Sequence, residues 1–152
     1  MSLDLILEFI HHLAVFSLVG VFFAEFFLLT QGDVRGRRLA TIGRLDSAYG
    51  GLAGLIVIAG VSRVIWGDAG WQFYVTNWTF WVKMALFVLV AVLSIQPTRA
   101  ILGWRKAAGA DPAYVVPEGE IGSVRGYYLA SFAGLAFIPI FAALMARGIG
   151  LP

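Results

Sequence analysis

Residues 5–29 read LILEFIHHLAVFSLVGVFFAEFFLL, a run whose only ionisable side chains are Glu8, His11, His12 and Glu25. It exceeds the roughly 20 apolar residues that carry a helix across a bilayer. Period-two alternation is absent, which argues against a lipid-facing β-barrel strand. A basic start and a small-residue cleavage site are also absent, so the segment is expected to stay in the mature chain rather than leave as a secretory leader. Working outward, three more apolar stretches of spanning length lie at about 46–66, 80–102 and 124–145. The expectation is an all-α integral membrane four-helix bundle forming one transmembrane domain over residues 1–152. Pro139 predicts a kink in the fourth span, and Pro97 with Thr98 predicts a bend or an end in the third.

Composition points the same way. The chain is 60% hydrophobic and 13% charged, with a mean hydropathy of +0.85, whereas soluble domains are roughly 45–50% apolar and about 25% charged. With no cysteine there is no disulfide, thiolate metal site, iron–sulfur cluster or c-type haem attachment. The net charge of +2 comes from arginines beside apolar runs, which reads as membrane-flanking charge and not as a nucleic-acid surface.

Those arginines set an expected topology. The first connection carries Arg35, Arg37, Arg38 and Arg44, the third carries Arg99, Arg105 and Lys106, and the second, GDAGWQFYVTN at 67–77, has one acid and no base. Short basic loops stay in the cytoplasm, so both termini are expected on the periplasmic side of a bacterial inner membrane. Trp66, Trp71, Tyr74, Trp78 and Trp81 would form the outer aromatic belt, and Trp104 would mark the inner interface. The third connection, AAGADPAYVVPEGEIGS at 107–123, reads as a loop from its glycines and prolines. Gly50 and Gly54 form a small-xxx-small pair, suited either to tight packing inside the bundle or to a homodimer seam.

An ionisable group inside a span costs roughly 2.5–3.5 kcal/mol and needs a partner or a purpose. Depth sorts these groups into two layers. His11, His12, Arg63 and Lys83 fall in the outer half; Glu25, Arg44, Asp46, Arg99 and Arg125 fall in the inner half. His11 and Glu25 are about 40° apart around the helix and share a face, whereas His12 points about 100° away from His11. An inward histidine near cations and aromatic rings suits haem b, with His11 on the iron and Arg63 or Lys83 beside propionates; Lys83 as a neutral amine would be a second axial ligand. The plainer alternative is that His11 hydrogen-bonds another helix while Arg63 and Lys83 snorkel to headgroups. In the inner layer Glu25 would pair with Arg44 or Arg125, and the alternative is a proton-conducting or quinone-contacting role. No phosphate loop, nucleotide fingerprint, zinc-protease motif or nucleophile elbow occurs.

Three segments carry a resemblance: IHHLAVFSLVGVFFAEFFLL, RLDSAYGGLAGLIVIAGVSRV and FYVTNWTFWVKMALFVLVAVLSIQPT. Together they resemble a bacterial family of predicted four-helix membrane proteins of unknown function. More distantly, His11 and the Trp81-x-Lys83 segment resemble the HemJ-type protoporphyrinogen oxidases, in which a helix-one histidine and a helix-three lysine serve haem b. That resemblance implies a b-type haem held by His11 and Lys83, with Trp81 beside them. The expected activity is electron transfer or oxidation of a small lipid-soluble substrate, a quinol or porphyrinogen. Arg63 would hold a propionate, and His12 would bind a second haem or a partner chain. The alternatives are a cofactor-free proton or ion transporter or channel subunit, and an assembly subunit of a membrane redox complex.

Overall fold

The computed structural model describes residues 2–151. Its helices are α1 (Leu3–Thr30), α2 (Gly36–Trp66), α3 (Gly70–Val75), α4 (Trp78–Ala110) and α5 (Glu118–Ala146). All but the short α3 are long and apolar enough to cross a membrane. Among the described residues the only β-pairing is an isolated bridge between Arg35 and Val115.

Local chemistry starts two of these helices. The Ser2 hydroxyl accepts the Leu5 N–H at 3.3 Å, and Asp4 lies in the first turn of α1, where a negative charge meets the positive helix end. The Asn77 side-chain oxygen Oδ1 accepts the Thr79 N–H at 2.9 Å and caps α4. α1 and α2 form one antiparallel hairpin, α4 and α5 a second, and α2 packs on α4 to join them. α1 meets α5 through aromatic pairs, Phe22 and Phe26 on Tyr128 and Phe23 on Phe132. Both termini therefore lie at one end of the bundle, the terminal end, and the arginine-rich connections lie at the other, the basic end.

The helices outrun their apolar cores. α2 begins at Gly36 rather than near residue 46, because Leu39, Ile42, Gly43 and Asp46 recur at helical spacing and are buried despite the arginines between them. α4 continues to Ala110 and α5 starts at Glu118, so the expected loop at 107–123 shrinks to 111–117. At 33 residues, α4 is about 50 Å long against a hydrocarbon core of about 30 Å. A helix of that length exceeds the core, and its charged residues Arg99, Arg105 and Lys106 fall towards the basic end. There the first and third connections meet: Val34 and Val116 are buried, and the Val116 N–H donates to the Val34 carbonyl at 3.1 Å. Pro97 and Pro139 both lie inside continuous helices. Neither ends its helix.

Two positions depart from the expected aromatic belts. Tyr74 and Trp104 are buried, whereas Trp66, Trp71, Trp78 and Trp81 are exposed on the outside of the bundle. The glycines also divide. Side chains at Gly50, Gly51 and Gly54 would meet open space, so these residues do not serve packing inside the bundle. Gly134 does serve it, since a Cβ there would collide with Val90 on α4. Gly134→Val is therefore expected to destabilise by about 1–3 kcal/mol through overpacking, and Gly50→Val is not. Thermal unfolding of both variants in detergent checks this.

The core is uneven along the bundle. At the basic end Phe22, Leu29, Leu39, Ile42, Ile101, Trp104, Ile121, Val124 and Tyr128 form one buried cluster. A smaller one, Ala14, Leu18 and Ile56, lies at mid-height with Phe87 and Leu135 against it. Towards the terminal end, no described residue of α1 before Ala14 is buried, and none of α5 after Gly134.

Candidate functional site

The antiparallel register of α1 on α2 places the ionisable residues one turn at a time. Asp4 and Glu8, one turn apart on α1, both reach Arg63 on α2: Asp4 Oδ1 lies 3.6 Å from Nε and Glu8 Oε1 lies 3.6 Å from Nη2. Gly67, the C-cap of α2, leaves room for this group, because a Cβ there would strike the Arg63 carbonyl and Asp4. One turn deeper, the His11 imidazole rests on Gly60, with Cε1 3.5 Å and Nδ1 3.7 Å from where a Cβ would stand. The missing side chain lets the ring approach the α2 backbone, where the Ile56 carbonyl faces it. Nδ1 is buried there without a well-formed hydrogen bond.

Lys83 on α4 is close enough to act electrostatically on His11, and its ammonium sits 5.4 Å from the centre of the Phe80 ring, a cation–π contact. Tyr74 packs on Phe80 from above. Burial pushes the Tyr74 phenol above its ordinary value; Arg63 opposes the shift, and Asp4 and Glu8 add to it. His12 is exposed, its ring centre 6.0 Å from that of His11. Trp81 faces outward with its indole N–H donating to the Val75 carbonyl at 3.0 Å. The structure thus brings His11, Lys83 and Arg63 together and leaves His12 and Trp81 on the outer surface.

A haem at this end meets a donor set that fits on one side and not on the other. His11 has its Nδ1 edge at the Ile56 carbonyl, the kind of backbone partner that orients an axial imidazole. Lys83 is beside it, and the terminal half has no buried side chains on α1 or α5 that would have to move. Arg63 does not fit the propionate role expected of it, because Asp4 and Glu8 already occupy its guanidinium. Those acids are one helical turn apart near the start of the chain, and that spacing is the sequence signal that could have pointed to a two-carboxylate clasp.

The second layer lies nearer the basic end. Glu25 is 1% exposed, within hydrogen-bonding reach of the Tyr128 hydroxyl, and its Oε1 has no partner. Asp46 Oδ1 accepts from the Thr98 hydroxyl at 2.7 Å. Arg44, one expected partner of Glu25, instead donates to Thr41 at 3.1 Å, and Arg125, the other, is exposed. No ion pair to Glu25 forms among the described residues. Tyr49, Thr98 and Tyr128 were missed in the sequence, where nothing distinguishes an inward tyrosine or threonine from its neighbours.

No curated protein and no solved structure matches this chain. A family of predicted membrane proteins, DUF2214, matches residues 3–150. With four spanning helices and a match over nearly its full length, the chain belongs to the DUF2214 family of predicted membrane proteins.

Proposed function

We propose that this membrane protein binds haem b at the terminal end of its bundle and serves electron transfer or the oxidation of a small lipid-soluble substrate, a quinol or a porphyrinogen. His11 is the iron ligand. Lys83 is the second ligand or the cation beside the propionates, and Arg63 holds α1 to α2 instead of taking a propionate. The observation that carries this reading is the seat of His11 on Gly60, with Nδ1 buried beside the α2 backbone and Lys83 near enough to act on the ring. When bound, the haem supplies one-electron chemistry. The chain's own part is to orient one imidazole, hold a cation within its reach, and surround both with apolar helices that exclude water.

The arginine distribution supports periplasmic termini and a bacterial inner membrane, which puts this end of the bundle at the periplasmic surface. A proton or ion path through the bundle would need water between the two polar layers. Ala14, Leu18 and Ile56, with Phe87 and Leu135 against them, fill that interval with apolar side chains, which speaks for two separate sites. The exposed Gly50–Gly54 face leaves room for a homodimer, with His12 facing outward.

The test is a reduced-minus-oxidised spectrum of protein expressed with haem supplied and purified in folded form. A b-type band is the expected result. Folded protein that stays colourless overturns the reading, and ion flux through such protein in liposomes would replace it with the transporter.

A further inference from the structure

The inner layer holds a feature that the haem reading does not use. Glu25 is buried in the middle of the bundle, its Oε1 is without a partner, and its carboxyl lines a small cavity of about 10 Å³ with Asp46, Tyr49, Thr98 and Tyr128. That is about the space a single water needs. Pro97, also on the cavity wall, cannot donate its backbone nitrogen to the helix ladder, which leaves the Leu93 carbonyl without its usual partner in the same stretch of α4.

The groups facing Glu25 can be named helix by helix. α2 contributes Asp46 and Tyr49. α4 contributes Thr98, whose hydroxyl donates to Asp46, and Arg105, which crosses over Gly43 and acts on Asp46 electrostatically. α5 contributes Tyr128. Arg105, the cation of this layer, and the Thr98 hydroxyl both serve Asp46, whereas Glu25 has the Tyr128 hydroxyl within reach and no cation. An ionised carboxylate buried without a cation costs several kcal/mol, whereas a neutral acid with a hydrogen-bond partner does not. Two carboxyls in one site with unequal support divide their roles, one holding the proton and the other the charge.

We propose that Glu25 and Asp46 form a proton-binding site in which Glu25 holds the proton, Asp46 carries the charge, and a water in the cavity connects them. In the transfer the Glu25 O–H bond breaks, the water accepts that proton and passes one of its own to Asp46, and the negative charge moves from Asp46 to Glu25. Net charge is unchanged and no co-reactant is needed. The apolar layer of Ala14, Leu18 and Ile56 separates the site from the terminal end, and Leu29, Ile42, Ile101 and Trp104 pack on its basic side. This site stands whether or not the terminal end takes a haem.

Infrared spectroscopy of the full chain in lipid at pH 7 tests the proposal, because an exposed glutamate is ionised there. The wild type should show a carboxylic-acid C=O stretch, Glu25→Gln should lose it, and Tyr128→Phe should shift it by removing the hydroxyl beside it. Asp46→Asn should keep the band and alter its frequency. Absence of the band in folded wild type, or its survival in Glu25→Gln, overturns the proposal. So does loss of the band when sodium or magnesium is added at constant pH, which would mark a metal-cation site. Should Glu25→Gln fail to fold, Tyr128→Phe decides, and an unshifted band there overturns the assignment to Glu25.

Discussion

His11→Ala is expected to abolish the b-type band of the purified protein, and His12→Ala is expected to leave it in place. The two rings are adjacent in sequence but face different surroundings: His11 lies against Gly60 on α2, and His12 is exposed. In the proposed site His11 is the iron ligand, so its removal would take away that bond, and no other described histidine could replace it from the bundle side. Lys83→Ala is expected to change the position of the band if the amine ligates iron, and to lower haem affinity without moving the band if it only faces the propionates. Gly60 supplies a finer probe. A Cβ there stands at ordinary contact distance from the ring, so Gly60→Ala should retain the band, while Gly60→Leu pushes the imidazole off the α2 backbone. Loss of the group that orients a metal ligand typically costs about 10–100-fold in affinity, and Gly60→Leu is expected to fall in that range in a haem titration. Equal loss of the band in His11→Ala and His12→Ala would contradict the assignment.

The parts of this structure that were legible in the sequence are those that lipid enforces. A helix that must satisfy every backbone group internally and stay apolar for about 30 Å announces itself by hydropathy, and four such runs appear. The two polar layers were legible for the same reason, since depth follows from residue count along a helix. Side-chain pairing was not. Arg63 was expected at a propionate or at headgroups because its partners, Asp4 and Glu8, are far from it in sequence and meet it only through the antiparallel register of α1 on α2. Glu25 looked destined for Arg44 or Arg125 because opposite charges at similar depth invite pairing, but both arginines extend outward and the neighbours of Glu25 are Tyr128 and Asp46. The start of α2 was hidden by its arginines. The residues that hold it to the bundle, Leu39, Ile42 and Gly43, are too few for a hydropathy window and show only in helical periodicity.

Trp104 was misread for a related reason, and its burial yields the largest stability effect expected here. Tryptophan near the end of a span ordinarily marks the headgroup level. In this chain α4 runs on to Ala110, so Trp104 meets the connections that cover the basic end. It is 2% exposed, joins Val34, Leu39, Ile101, Val116 and Ile121 in one cluster, and donates its indole N–H to Glu120 Oε2 at 2.6 Å. Because this cluster sits under the polar connections of the basic end, unfolding that exposes it to water brings in the hydrophobic effect. Trp104→Ala is expected to cost about 3–5 kcal/mol from lost burial and the cavity left behind. Trp104→Phe keeps most of the volume and gives up the hydrogen bond to a carboxylate, for about 1.5–3 kcal/mol. Glu120→Gln keeps an acceptor in place on an exposed residue and should cost less than either. Unfolding titrations in mixed micelles should rank the three in that order. A Trp104→Ala protein within about 0.5 kcal/mol of wild type, the range of an ordinary surface change, would mean that the two connections close the basic end without it.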